Sequence, residues 1–550
     1  MKKIFITALA AISLGASAQS PVTQNNELEA AKGMEIMLSI YRDANLFYVD
    51  TLQPQKLVTD AMGAMLSKLD PYTEYITKED MGDFEMTTTG KYGGIGSLIR
   101  QRGEWVEISE PYEGTPSARA GLKAGDRLVE IDGVSLKDLG SSKVSNMLKG
   151  DPGTTFSLTY RPIKDTLTTQ TIDITRERIA IPGVPYYGIV GESIGYIRFS
   201  TFTVGGAKEV GNALKELEKN NKLTGLILDL RNNGGGVVGE AIDIINLFVS
   251  SGKEVLNIRG KVSEMNSTYK TKHKPTDLKI PLTVLLNSSS ASASEIVAGA
   301  LQDLDRAVII GDRSFGKGLV QSTRDVPYGG MLKMTTAKYY TPSGRCIQAL
   351  DYTHRREDGS VGVIPDSLIN EFHTAGGRIV YDGGGITPDI KLENEYLSKF
   401  SALVMAYGFI DDFSNEYAAH NTPSKEGFEI TDEIYSDFVD FMQDKTIEYE
   451  SLSAIKLKEL RDAATREEYS DKILEELDAI ADKIKDDKEA ELEKNKDEIK
   501  EMMQTAILTR LYFSASAIEA SLPNDKVINR AIELLSNPTE YNDILSGKEQ

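Results

Sequence analysis

Apolar side chains recur three or four residues apart near the start of the chain: Ala31, Met34, Leu38, Tyr41 and Ala44, then Val58, Met62, Met65 and Leu69. Each set falls on one face of a helix. Asp70-Pro71 ends the second helix, because proline and the restricted residue before it leave the helical region. Between 91 and 162 the pattern shortens to β-rich runs at 95–99, 105–108, 127–131 and 155–160, broken by glycines and by short helical patterns at 118–120 and 144–148. This predicts a small β-rich module. From 194 onward the periods alternate: strand 194–202, helix 207–218, strand 223–230, helix 238–249, strand 282–286, helix 293–304, strand 307–311. Such alternation predicts a mainly parallel sheet covered by helices. Beyond 397 the chain is charged and helical. Ile473, Leu474, Leu477 and Ile480 keep one stripe through the Glu, Asp and Lys of 467–500, as in a packed helical domain with a solvated face.

Composition narrows the function classes. The chain has 550 residues, 62 Lys+Arg against 83 Asp+Glu, and a formal net charge of −21. An acidic chain lacks the cationic surface that phosphate binding needs, so nucleic acid and anionic membranes are poor partners. One cysteine, Cys346, cannot form an intramolecular disulfide. With four scattered histidines (His273, His354, His373, His420) it makes no zinc-ligand motif, and no metal or other cofactor is expected. Lys2 and Lys3, the apolar run 4–15 and the small residues Ala16-Ser17-Ala18 read as a secretory signal peptide. The run of about 12 residues falls short of the roughly 20 that a membrane span needs. No cysteine follows it, so a lipid anchor is not expected, and the mature protein is expected in the periplasm or otherwise exported.

Two motifs imitate nucleotide sites. Gly234-Gly235-Gly236-Val237-Val238-Gly239 has the letters GxGxxG, but Arg231-Asn232-Asn233 separate it from its strand and a complete β-α pair lies upstream. The stretch 311–317 has the letters GxxxxGK, but Gly318 stands where a magnesium-binding Ser or Thr is needed. A nucleotide-dependent enzyme is thereby the weaker alternative, and absence of ATP or NAD binding by calorimetry would dispose of it. A glycine-rich strand-to-helix turn also exposes backbone N–H groups that can hold the oxyanion of acyl transfer, and then the chain needs a nucleophile.

Strand 282–286 runs into Asn287-Ser288-Ser289-Ser290-Ala291-Ser292-Ala293-Ser294-Glu295, before an apolar helix. Ser292-x-x-Glu295 is a capping box that requires no chemistry. A serine at such a junction nonetheless exposes its hydroxyl beside helix N-terminal amides, so capping and catalysis can share the motif.

The run from Ser290 to Leu301, with Phe315-Gly316-Lys317-Gly318 and Gln321, resembles the signature of the C-terminal processing peptidases, also called tail-specific proteases. Asp229-Leu230-Arg231-Asn232-Asn233-Gly234-Gly235-Gly236, Tyr339-Tyr340-Thr341-Pro342-Ser343-Gly344-Arg345, Gly385-Ile386-Thr387-Pro388-Asp389-Ile390 and Asp70-Pro71-Tyr72-Thr73 match in the family's order. The resemblance implies an α/β multi-domain serine endopeptidase: a mainly parallel β/α protease core of the crotonase/ClpP-like kind, an inserted β-rich PDZ domain that takes substrate C-termini, and helical regions at both ends. It divides the chain into a signal peptide (1–18), an N-terminal helical region (19–88), a PDZ domain (89–178), a peptidase core (179–395) and a charged helical domain (396–550). It assigns the nucleophile to Ser292, the general base to Lys317 and a lysine-positioning role to Gln321. Spacing alone does not choose Ser292 among its neighbours. The oxyanion donors would be the amide of Ala293 and one from the glycine run, Gly236 in preference to Gly235. Glu295 matches a glutamate tied to the site in some relatives, with capping an equal reading.

The chemistry agrees. A lysine of ordinary pKa, near 10.4, is protonated at pH 7, and neutralising it there costs about 4.6 kcal/mol, so a lysine base must be buried or set near positive dipoles. Gln321 can bond the amine without adding negative charge. Position i+4 lies about 6 Å away in a helix and about 13 Å away in a strand, so a helical turn is expected over 317–321.

Tyr92-Gly93-Gly94-Ile95-Gly96 resembles a PDZ carboxylate-binding loop, and Gly114 to Ala118, Gly125 to Leu128, Ile131-Asp132-Gly133 and Pro152-Gly153-Thr154 resemble later PDZ segments. Glycines leave amides free for a terminal carboxylate while the adjoining strand accepts the peptide. Ile95, Leu98, Met147 and Leu148 are candidate walls of the apolar pocket. Protein or peptide C-termini are the expected partners, and the helical termini are candidates for a homo-oligomer contact or an adaptor surface. The binding-class alternative, a proteolytically inactive PDZ scaffold, is disfavoured by the presence of Ser292, Lys317 and Gln321 together.

Overall fold

The computed structural model describes residues 21–164, 167–393, 397–483 and 488–548. The expected signal peptide, 1–18, lies outside them. No helix among the described residues is long and apolar enough to cross a membrane. The chain forms two units, Met1–Tyr75 and Ile76–Gln550. In the first, the two apolar stripes become α1 (Pro21–Phe47) and α2 (Pro54–Leu66). Proline opens α2, where its missing N–H is no loss.

The second unit begins with α3 (Met81–Thr89), which ends at Gly90 with φ 67°. The β module follows as β1 (Lys91–Gly94), β2 (Ser97–Arg102), β3 (Trp105–Pro111), β4 (Arg127–Ile131), α4 (Ser141–Leu148), β5 (Thr155–Arg161), β6 (Gln170–Thr175) and β7 (Glu177–Ala180). Strands β2 to β6 form one antiparallel sheet in sequence order, and β1 pairs separately with β7. Alternation along β5 sends Phe156, Leu158 and Tyr160 inward, where they pack with Val106, Ile108, Leu128 and Val144.

Next come β8 (Tyr186–Val190), β9 (Ile194–Arg198), α5 (Gly206–Asn220), β10 (Gly225–Asp229), α6 (Val238–Phe248), β11 (Glu254–Gly260), β12 (Leu282–Leu286), α7 (Ala293–Asp303), β13 (Val308–Gly311), β14 (Leu319–Asp325), β15 (Met331–Tyr340) and β16 (Ile390–Lys391). The central sheet has the order β8-β9-β10-β12-β13-β16; its first pair is antiparallel and the rest are parallel. Every residue of β10 and β12 is buried, which is why they read as near-continuous apolar runs broken by Thr283 and closed by Asp229. A second sheet pairs β15 with β11 and β14. Its strands carry mixed polar and apolar faces, and the periodicity did not announce them.

Helices α8 (Lys399–Ala406), α9 (Phe409–His420), α10 (Asp432–Phe441), α11 (Leu452–Arg466), α12 (Asp471–Lys483) and α13 (Lys496–Ser521) follow. Phe400, Phe413, Phe438, Met503 and Ile507 form a core of their own. The β module docks on these helices through charge: Arg100 meets Asp411, Arg102 meets Asp412, and Arg510 shares Asp411. The chain does not stay helical-domain to its end. In α14 (Lys526–Leu535) and α15 (Pro538–Leu545), Ile528, Ala531, Leu534, Leu535 and Tyr541 pack on Tyr196, Ile227, Leu285, Val308 and Ile310 of the central sheet. The opposite face of that sheet, with Ile197, Leu226, Leu228, Val284 and Leu286, is covered by α5, α6 and α7. The stretch expected as a charged helical domain over 396–550 thus ends by supplying a layer of the α/β core, where α14 buries its apolar face on the central sheet.

Candidate active site

The turn between β12 and α7 sorts the serines. Ser288 and Ser289 are exposed. Ser290 is fully buried, its Oγ donating to the Leu230 carbonyl at 2.9 Å and accepting the Asn287 N–H at 3.0 Å. Ser294, equally buried, donates to the Asn233 carbonyl at 2.8 Å. Ser292 alone of the cluster combines partial exposure with a strained backbone, φ 57° and ψ −112°. That conformation lies outside the left-handed helical well and costs about 1–3 kcal/mol for a residue with a Cβ, a cost that recurs at functional turns.

Facing this turn is the glycine run after β10. Gly235 and Gly236 have φ 98° and 146°. A Cβ on Gly235 would lie 2.8 Å from Ser292 Cβ and 2.7 Å from the Ala291 carbonyl oxygen, so the two turns touch with no room for a side chain. The Gly235 N–H is taken by Asn233 Oδ1 at 3.0 Å. The N–H of Gly236, an exposed residue, and that of Ala293, the first of α7, have no acceptor among the described residues. Asn233 ties the turns together: its carbonyl accepts the Ala291 N–H at 3.0 Å, and its Nδ2 donates to the Phe199 carbonyl at 2.7 Å.

Glu295 is completely buried. One carboxylate oxygen accepts the N–H of Ser292 at 2.8 Å and of Lys317 at 2.9 Å; the other accepts the N–H of Gly316 at 2.7 Å and the Ser314 hydroxyl at 2.6 Å. It caps the helix as expected, and it also pins the lysine segment to the serine turn. Burial raises its pKa above the ordinary carboxylate value, against the lowering by these hydrogen bonds.

The helical turn expected over 317–321 is not formed. The amides of Gly316 and Lys317 go to Glu295 and that of Gly318 to Gln348 Oε1 at 2.8 Å, and the residues after them pair as a strand, which takes the chain out of the conformation that a turn over 317–321 requires. From Leu319 the chain is strand β14, with a bulge between Val320 and Gln321. Gln321 Nε2 donates to Thr335 Oγ1 on β15 at 3.0 Å. Ser292, Lys317, Gln321, Gly235 and Gly236 nevertheless line one cleft of about 770 Å³, with apolar walls from Val238, Ile258, Met265, Leu319 and Ala337. Tyr339, quoted above only as part of a motif, is a supporting residue that the sequence did not single out: it is buried and its hydroxyl donates to the Ser292 carbonyl at 3.3 Å. Burial, with Glu295 nearby, holds its pKa well above the ordinary phenol value.

A second groove, of about 600 Å³, runs between β2 and α4 of the β module, with Ile95, Leu98, Leu148 and Tyr92 among its lining. Met147 is not on it; that side chain packs toward the module core because it sits on the opposite side of α4 from Ser145 and Lys149. Gly93 and Gly94 are drawn into β1, opposite Arg178 and Glu177, so the expected loop narrows to Ile95 and Gly96. Gly93 is required there by close approach, since a Cβ would fall 2.1 Å from the Gly150 carbonyl oxygen. The segment 80–88, which the sequence left in a plain helical region, contributes to both depressions. Asp83 and Met86 face the β2–α4 groove, with Asp83 bonded to Lys149 at 2.6 Å, while Phe84, Thr87 and Thr88 face the serine cleft.

Comparison with known proteins agrees with this architecture. Residues 193–369 match Peptidase family S41, residues 107–162 match the PDZ domain, and residues 401–535 match the probable PDZ-protease, C-terminal helical domain. The chain is 35% identical over 370 residues to the carboxy-terminal-processing protease of Bartonella bacilliformis, covering 65% of this chain and 80% of that one. It is 35% identical over 318 residues to the carboxyl-terminal-processing protease of Picosynechococcus sp., covering 56% and 72%. Among solved structures, the photosystem II D1 C-terminal processing protease aligns with 27% identity and a TM-score of 0.34, over 65% of this chain and 87% of that one. The chain therefore belongs to the carboxy-terminal-processing proteases, PDZ-bearing serine proteases of peptidase family S41.

Proposed function

We propose that Ser292 is the nucleophile of this serine protease and Lys317 its general base. The observation that carries the reading is the strained, partly exposed Ser292 turn, opening on one cleft with Lys317 and against the Gly235-Gly236 turn. In acylation, Ser292 Oγ bonds to the scissile carbonyl carbon while Lys317 Nζ takes the hydroxyl proton. The carbonyl oxygen, now anionic, is met by the N–H groups of Gly236 and Ala293. As the C–N bond breaks, Lys317 gives the proton to the departing amine. Water then attacks the ester, Lys317 again taking a proton, and Ser292 is regenerated. Gln321 orients the amine from the cleft wall, and Glu295 holds the lysine segment against the serine turn.

The β2–α4 groove takes the C-terminus of a protein substrate as an added strand, its last side chain among Ile95, Leu98 and Leu148 and its carboxylate at the Ile95-Gly96 amides. The leader at 1–18 directs export to the periplasm or beyond.

The test is the pH dependence of single-turnover cleavage. A base must be neutral before acylation, so the wild-type rate rises with pH; Lys317→Arg, whose guanidinium stays protonated, is inactive throughout. Gln321→Glu places a carboxylate beside the amine and moves the profile to higher pH. Substantial activity in Lys317→Arg, with substrate binding checked separately, would assign the base elsewhere.

A further inference from the structure

The turn that carries the Gly236 amide is held partly from the far end of the chain. At the end of β10, Asp229 is completely buried. It accepts the Tyr196 hydroxyl at 2.8 Å, the Arg231 N–H at 2.9 Å, and the Arg231 side chain through Nε at 3.0 and 3.1 Å and Nη2 at 2.7 Å. The remaining guanidinium nitrogen, Nη1, reaches Asp525 Oδ2 at 2.8 Å. Asp525 is the N-cap of α14, and its two oxygens have separate tasks. Oδ1 accepts the N–H groups of Val527 and Ile528 at 2.9 and 3.0 Å, while Oδ2 takes the guanidinium.

Both anchors are rigid. Asp229 sits on a central strand, and α14 is fixed by Ile528, Ala531, Leu534 and Leu535 buried on the other face of the same sheet. From Arg231 the chain turns at once through Asn232, at φ 60°, whose N–H and side chain are clamped to the Asn287 side chain at 3.0 and 2.8 Å. Asn233 and the two glycines follow. Asp229 clamps one edge of the guanidinium through Nε and Nη2, and Asp525, on an independent layer, takes the remaining Nη1, so the start of the turn is held between the strand and α14.

We infer that Asp525 is a positioning residue for the oxyanion turn, acting through Arg231, so that the returning helices α14 and α15 are part of the catalytic apparatus. This rests on the reading of Gly236 and Ala293 as oxyanion donors. Asp525 touches no reacting atom; it sets the starting point of the segment that does.

The test separates the two tasks of Asp525. Asp525→Asn keeps a side chain that ranks with Asp as an N-cap but removes the charge facing Arg231. Asp525→Glu keeps the charge at the expense of the cap. In the full-length enzyme, Asp525→Asn is expected to lower kcat roughly tenfold, since misplacement of a donor by a fraction of an ångström is felt in the transition state. KM and melting temperature stay near wild type, and Asp525→Glu restores most of kcat. A peptide boronate, whose tetrahedral serine adduct mimics the oxyanion, should lose affinity for Asp525→Asn by the same factor, while the matching carboxamide peptide does not. Wild-type kcat in Asp525→Asn, or equal losses in kcat and in carboxamide binding, overturns the inference. If the boronate binds the wild-type enzyme no better than the carboxamide, the oxyanion reading itself fails, and the two failures are thus distinguishable.

Discussion

The serine cleft and the β2–α4 groove sit on one chain and share the segment 80–88, yet they are built on opposite principles. The cleft is held by buried polar groups that are all engaged: Glu295 with four donors, Asn233 bridging two turns, Ser290 and Ser294 each donating to a fixed carbonyl. Such networks leave the site little freedom and make each member costly to lose. The groove is walled by apolar side chains of unlike burial, Ile95 and Leu148 belonging to the module core and Leu98 48% exposed, with Lys149 and Asp83 paired at its rim. Its exposed wall, Leu98, costs little to change. Substitutions in the cleft should therefore act on kcat and those in the groove on KM.

The largest effect is expected for Ser292→Ala, which removes the proposed nucleophile and should reduce cleavage of an unfolded protein by more than about a thousandfold. Ser290→Ala removes the acceptor of the Asn287 amide and one of the two donors to the Leu230 carbonyl, which keeps the Asn233 N–H; the loss is about 1–3 kcal/mol in stability, but its activity should remain easily measurable. Equal inactivation, with both variants folded by circular dichroism, would undo the sorting of the serines by burial and strain. Gly235→Ala comes next: a Cβ 2.8 Å from Ser292 Cβ must displace the turn, and kcat should fall about a hundredfold while affinity for a C-terminal peptide is unchanged. Glu295→Gln keeps the shape but turns an N–H₂ toward N–H donors, so both melting temperature and kcat should drop; a variant with wild-type kcat would show that the lysine segment does not depend on this pin.

On the groove side the effects are smaller. Leu98→Ala should raise KM for tail-bearing substrates about fivefold, as the loss of roughly 1 kcal/mol of apolar contact implies, at unchanged kcat. A fall in kcat instead would mean that the groove and the cleft do not divide the work as described. The effect with least bearing on turnover concerns pH and the stability of the module. Burial pushes the Asp126 carboxyl of the β module up to about 6. An acid whose folded pKa is raised stabilises the fold below its unfolded pKa, near 3.9, and loses that contribution as pH rises through about 6. The module should thus lose stability between about pH 4 and pH 6, and Asp126→Asn should flatten that slope in thermal melts. An unaltered slope would place the titration on another group.

What the sequence revealed follows the same division. Strands β10 and β12 and helices α6 and α7 are buried segments whose periodicity is set by the sheet they pack on, so their bounds were readable to within a few residues. The family was readable through its motifs, while a physical ground for preferring Ser292 to Ser290 needed the φ of 57° and the burial of its neighbours. The lysine segment was misjudged because spacing cannot show that the residues after Gly318 pair with β15 as a strand, Gln321 lying opposite Thr335. Met147 was misjudged because only the rotation of α4 separates the groove side of that helix from its core side. The return of α14 to the sheet was invisible for a simpler reason: an amphipathic helix advertises an apolar face and not the surface that will cover it.

The most direct measurement is the site of acylation. Wild-type enzyme is mixed with a peptide substrate in single turnover, quenched in acid within the burst and digested, and the acylated peptide is sequenced by mass spectrometry. The account predicts an ester on Ser292, absent in Lys317→Arg although that variant still binds the substrate. An acyl group on Ser288 or Ser289, or an undiminished ester on Ser292 in Lys317→Arg, would contradict it.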